Sequence, residues 1–197
     1  MSEAVVVPGA RDVRGSLDAP EATDSCVVAC PPHPQMGGSR SNPRLTAVGD
    51  ALVERGVAYL RFDYGPWDEG TGELRDVANA LDWARERYES VGLFGYSFGG
   101  CLALVAAADA PDLAAVSALA PAARIGDDLD AVAAIDAVAC PGQVVYGERD
   151  DTVDWQPVVD RATERGFEVA AMAADHHFVG QSDDVAAAVS EFLAARV

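Results

Sequence analysis

The chain has 197 residues, enough for one domain with a substantial core and too few for two domains of usual size. Half of its residues are hydrophobic but only 7% are aromatic, so Ala, Val and Leu must build most of the interior. The formal net charge is -18 and all 14 basic residues are arginine, which excludes a surface that attracts nucleic acid or anionic membrane.

No apolar run approaches the roughly 20 residues that span a bilayer. The first residues, Met1 to Arg14, lack the basic start and unbroken apolar stretch of a signal peptide. A cytoplasmic protein is expected. Cys26 and Cys30, four residues apart on one strand, would stand about 13 Å from each other at ~3.3 Å per residue, too far for a disulfide. With only three histidines to join them, Cys26, Cys30, Cys101 and Cys140 read as buried thiols and not as a metal site.

Val5-Val6-Val7 and the stretch from Gly15 to Ala19 are expected as short opening strands. The apolar run Cys26 to Cys30 stops at Pro31-Pro32 and reads as a buried strand. After a loop through Gly37-Gly38, Leu45, Val48 and Leu52 recur at helical spacing, and Arg55-Gly56 ends the helix. The same alternation then repeats. Strand 57–62 precedes a helix marked by Leu74, Val77, Leu81 and Ala84. Strand 91–96 precedes helix 98–109, which Pro111 closes. Strand 113–119 leads into an Asp-rich segment with helical character near 129–135. Strand 143–146 precedes helix 155–165, for which Asp154 is the expected N-cap. Strand 167–172 precedes a final amphipathic helix, with Val185, Ala188, Val189, Phe192 and Leu193 on one stripe. Strands alternating with helices predict a mostly parallel sheet with helices on both faces, in one domain spanning 1–197.

Gly95-Tyr96-Ser97-Phe98-Gly99 is a GxSxG pattern set between a strand and a helix. In that context the serine sits on a sharp turn with its hydroxyl above the sheet, and the flanking glycines remove side chains that would clash. The rival reading is a serine that only caps the helix. A serine hydroxyl is a weak nucleophile without a base to take its proton and a carboxylate to orient that base. Both follow the serine in the chain: Glu148, Asp150 and Asp151 close strand 143–146, and His176 and His177 follow the last strand.

These stretches resemble the α/β-hydrolase superfamily, in particular its small lidless members akin to dienelactone hydrolases. The resemblance rests on His33-Pro34-Gln35-Met36-Gly37-Gly38, Leu60 to Gly65, GYSFGG at Gly95 to Gly100, Gly147 to Val153 as GxxDxxV, and Asp175 to Phe178. It implies an α/β-hydrolase fold without a lid domain, with Ser97 as nucleophile, Asp150 as acid and His176 as base. Asp151 and His177 stand as the neighbours able to replace them. Dienelactone hydrolases proper use cysteine where this chain has serine, so their substrate does not transfer. The backbone N–H of Phe98 is the expected first oxyanion donor. Pro32 and Pro34 have no N–H to give, so Gln35 is the expected second, with Met36 next. His33 is expected to hold the loop, and Tyr64 and Trp67 are candidate pocket walls.

The expected reaction is hydrolysis of a small-molecule ester or thioester through an acyl-enzyme, without metal or organic cofactor, nucleic acid or membrane. Only residues 120–142 separate two sheet strands where larger relatives insert a lid, which points to an open site. An amidase, a perhydrolase and a non-catalytic binding or scaffold protein of the same fold are the alternatives. The acidic, lysine-free composition resembles that of halophilic proteins, with an ordinary acidic protein from a GC-rich genome as the alternative. Raising KCl from about 0.1 M to about 1 M shortens the screening length from ~10 Å to ~3 Å, so the midpoint of chemical unfolding is expected to rise across that range; a flat or falling midpoint refutes the halophilic reading.

Overall fold

The chain begins with an antiparallel pair, β1 (Glu3–Val7) and β2 (Val13–Asp18), and then alternates strand and helix; the structure, a computed structural model, describes residues 2–197. In order come β3 (Ser25–Cys30), α1 (Pro43–Glu54), β4 (Ala58–Asp63), α2 (Thr71–Arg85), β5 (Ser90–Tyr96), α3 (Phe98–Ala108) and β6 (Ala115–Leu119). Two short strands, β7 (Arg124–Ile125) and β8 (Leu129–Asp130), and the single turn α4 (Ala131–Ala134) follow. The chain closes with β9 (Gly142–Gly147), α5 (Gln156–Glu164), β10 (Glu168–Met172) and α6 (Ser182–Ala194).

Eight strands form one sheet in the order β1-β2-β4-β3-β5-β6-β9-β10. β2 runs antiparallel to β4, and from β4 onward every pairing is parallel. Parallel strands covered on both faces have no solvent side, which is why β3 reads Ser-Cys-Val-Val-Ala-Cys with every residue buried. Its side chains alternate: Cys26, Val28 and Cys30 join the core under α2, α3 and α5, whereas Val27 and Ala29 join the core under α1 and α6. All four cysteines are buried free thiols. Burial pushes Cys26 and Cys101 up to about 12, so they remain uncharged.

The Asp-rich segment differs from its expected helix. Residues 124–130 form a small antiparallel hairpin, and only 131–134 are helical. Asp154 is not a cap either: α5 starts from Trp155 without a side-chain capping bond, because its Pro157 and a turn organised by Asp150 set the entry of the chain.

One buried ionic cluster fixes the loop between β4 and α2. Arg11 Nε donates to Asp76 Oδ1 at 2.9 Å, and its Nη2 lies 3.5 Å from Glu73 Oε1. Both carboxylates are fully buried. Glu73 accepts from the N–H groups of Asp68 and Gly70, and Asp76 accepts from Gly65 N. Burial pushes the Asp76 carboxyl up, against the pull of Gly65 N–H and Arg11. Removing one member of such a cluster strands a buried charge and costs about 3–5 kcal/mol, far more than an exposed pair. Arg11→Met is therefore expected to lower unfolding stability by about that amount, read as the denaturant midpoint, while breaking the exposed Arg14–Asp12 pair leaves the midpoint unchanged.

Candidate active site

Ser97 stands between the end of β5 and the first residue of α3, with φ 58° and ψ -114°. A left-handed backbone at a non-glycine residue stores strain of about 1–3 kcal/mol, and the surrounding packing enforces it here. A Cβ on Gly95 would stand 2.0 Å from Gly99 O, and one on Gly99 would stand 2.2 Å from Cys30 O. Neither position admits a side chain. Ser97 N donates to Leu119 O at 2.8 Å, tying the turn to β6. The Ser97 side chain makes no capping bond to α3, which rules out a purely capping serine.

His176 Nε2 lies 2.9 Å from Ser97 Oγ, and His176 Nδ1 lies 2.7 Å from Asp150 Oδ2. A carboxylate can only accept, so Nδ1 carries the proton and Nε2 is left to accept from the hydroxyl. The Asp150 side chain is wholly buried and satisfied: its Oδ1 accepts from Thr152 N at 2.9 Å and Val153 N at 3.3 Å. These three side chains come from the carboxyl ends of β5 and β9 and from the loop after β10, the edge where open α/β sheets bind ligands. Asp151 is exposed and makes no side-chain hydrogen bond among the described residues. His177 is also exposed, and its ring meets the rim of the cleft without reaching Ser97 or Asp150.

The imidazole is held from below. Tyr96 O–H donates to His176 O at 2.7 Å, and the two rings lie 5.7 Å apart. Burial pushes the Tyr96 phenol up to about 12, so it stays a donor. Phe178, fully buried against Tyr96, anchors the far side of the loop.

The N–H of Phe98 opens α3 and has no partner within the helix. The expected second donor does not face the site. Gln35 is exposed, and its N–H points at His33 Nδ1, 3.3 Å away, because Pro34 to Met36 wind into a 3-10 turn capped by His33. His33 itself lines the cleft, and among the described residues its own N–H meets no acceptor. It was findable from sequence as the first residue after Pro31-Pro32 with an N–H to give. Its ring packs against Trp67 at 4.7 Å and Phe98 at 4.9 Å, and burial pushes its pKa down. Trp67 therefore forms a wall, whereas Tyr64 is buried and donates to Pro31 O.

The cleft over Ser97 measures about 730 Å³. The β7–β8 hairpin contributes Arg124 and Ile125 to it, a wall absent from the sequence expectation because two-residue strands carry no periodic signal.

Residues 57–183 match the model of the X-Pro dipeptidyl-peptidase (S15) family, well over half of the chain. The chain belongs to that family. An uncharacterized protein of Rickettsia prowazekii is 24% identical over 180 residues, covering 82% of this chain and 75% of its own. Among solved structures, a lidless α/β serine hydrolase from Xanthomonas campestris superposes with a TM-score of 0.82 at 27% identity, over 96% of this chain and 92% of that one. A serine hydrolase homologue from Coxiella burnetii gives 0.83 at 24%, over 98% and 97%. Est1E from Butyrivibrio proteoclasticus gives 0.86 at 18%, over 98% of both. The chain thus has the lidless α/β-hydrolase fold of serine hydrolases.

Tyr96→Phe removes the one bond from beneath the imidazole and leaves the His176 carbonyl buried without a donor. It is expected to cost about 1–3 kcal/mol of stability. Equilibrium unfolding measured side by side with wild type checks this.

Proposed function

We propose that the protein hydrolyses small carboxylic esters or thioesters through Ser97, His176 and Asp150. The observation that carries this reading is the imidazole bridging a strained serine at 2.9 Å and a buried carboxylate at 2.7 Å. Ser97 Oγ attacks the acyl carbon while His176 Nε2 takes its proton. The N–H groups of Phe98 and His33 hold the oxyanion, His33 taking the place expected of Gln35. The imidazolium, stabilised by Asp150, then protonates the departing alcohol or thiol. Water enters, gives a proton to Nε2 and attacks the acyl-enzyme. Collapse of the second tetrahedral intermediate returns that proton to Ser97 and releases the acid.

Ester chemistry is favoured over removal of dipeptides by the charges in the cleft. An enzyme that holds a protonated amino terminus needs carboxylates to receive it. Among the described residues, Glu69 is the one carboxylate lining the cleft, and it is exposed in a cleft that also holds two arginines. The short hairpin between β6 and β9 leaves Ser97 accessible without an interfacial opening step, which suits short or exposed acyl groups.

A fluorophosphonate probe is expected to label the wild-type protein in molar KCl and not Ser97→Ala. Ser97→Ala should lower kcat on short p-nitrophenyl esters by about 10⁴-fold or more, and Asp150→Asn by about 10⁴-fold. Absence of labelling in the folded wild type, or activity confined to long-chain triglyceride, overturns the proposal.

A further inference from the structure

One cation in the cleft has nothing to neutralise it. Six of the arginines are half-buried, and five of them, Arg11, Arg40, Arg61, Arg85 and Arg161, each hold a carboxylate. The sixth is Arg44, on the first turn of α1. Among the described residues its side chain makes neither an ion pair nor a hydrogen bond; its Nε, like that of the paired Arg61, is sealed from solvent without an acceptor. In a chain carrying 32 acidic residues against 14 basic ones, an arginine left idle is a departure from every comparable position. The guanidinium lines the cleft with no carboxylate or carbonyl of this chain to receive its donors, so a bound acceptor would complete it.

The place of Arg44 says what kind of acceptor. It lines the same cleft as Ser97, on the wall formed by the start of α1, close enough to Tyr96 for its charge to act on that phenol. The N-terminal end of α1 adds positive potential to that wall. Across the cleft, Trp67, Phe98 and Ile125 form an apolar wall. There Arg124 is already neutralised by Asp130 at 3.0 Å, and Glu69 adds a negative charge. The cleft therefore offers one cation without a carboxylate partner of its own, Arg44, and an apolar remainder. A single planar guanidinium matches a carboxylate, which takes two parallel N–H bonds and one charge. A phosphate dianion would keep an uncompensated charge inside an acidic protein.

The geometry points to esters that carry a free carboxylate as the substrate class, with the carboxylate held by Arg44 and the scissile carbonyl at Ser97. This rests on the reading of Ser97 as nucleophile. Hydrolysis of such a half-ester consumes one water, breaks the acyl C–O bond and yields a dicarboxylic acid and an alcohol.

Two measurements test it at constant ionic strength. The first compares kcat/KM for monoethyl succinate and ethyl butyrate, followed by acid release. The wild type is expected to prefer the charged ester by about tenfold or more. That ratio should collapse in Arg44→Gln and be partly kept in Arg44→Lys, while Arg75→Gln, at an exposed and equally unpaired arginine on α2, leaves it as it was. A wild-type ratio near one, or a ratio indifferent to Arg44→Gln, overturns the inference. The second measures binding of monomethyl succinate to the Ser97→Ala protein by calorimetry, with binding expected and then lost on adding Arg44→Gln. Absence of binding overturns the inference even where esters are cleaved, whereas binding without fluorophosphonate labelling of wild type overturns only the hydrolase reading.

Discussion

The site depends on one close crossing of main chain. The turn from β5 into α3 is folded so tightly on itself that Gly95 has no room for a Cβ, and pressed so tightly against the end of β3 that Gly99 has none either. This contact holds Ser97 in a left-handed backbone at the floor of the cleft and leaves Phe98, the first residue of α3, beside it. It also brings the loop after β3 alongside, so that His33 packs on Phe98. The strain at one residue is held by extensive burial: α3 is apolar on nearly every side, and nine of its residues are buried. Local cost and global packing thus belong to a single device.

From that fixed point the other two side chains are placed by different means. Asp150 is set by a turn whose N–H groups at Thr152 and Val153 hold its carboxylate, so its orientation comes from backbone within three residues. His176 lies in a short turn closed from Phe178 N to Asp175 O, and that turn is placed by Tyr96 below and by the buried Phe178 ring. The loop bearing Trp67 is fixed by the buried Arg11 cluster. One third of the site comes directly from a sheet strand, and the rest from loops tied to it.

What the sequence made legible follows the same division. Elements buried on both faces, such as β3, or on one regular stripe, such as α6, declared themselves through unbroken or periodic apolar residues. Ser97 was legible because the glycine requirement is local. Asp150 over Asp151, and His176 over His177, needed the resemblance as well, since adjacent residues of one type differ only in which way the chain turns. Gln35 failed as an oxyanion donor because a 3-10 turn, invisible in composition, aimed its N–H at His33. The β7–β8 hairpin was missed because strands of two residues have no period to detect. The idle charge of Arg44 could not be read at all, for pairing is a property of three dimensions.

The two outermost strands, β1 and β10, leave a row of backbone donors and acceptors open at each end of the sheet. Glu3 and Glu168 stand on those margins, and Val6 is 71% exposed beside one of them. Open margins invite another chain to add a strand, and mutual repulsion between acidic molecules is what keeps them apart. Concentrated salt screens that repulsion and thins the barrier between molecules. Salt that screens the acidic surface therefore leaves those margins more open to self-association.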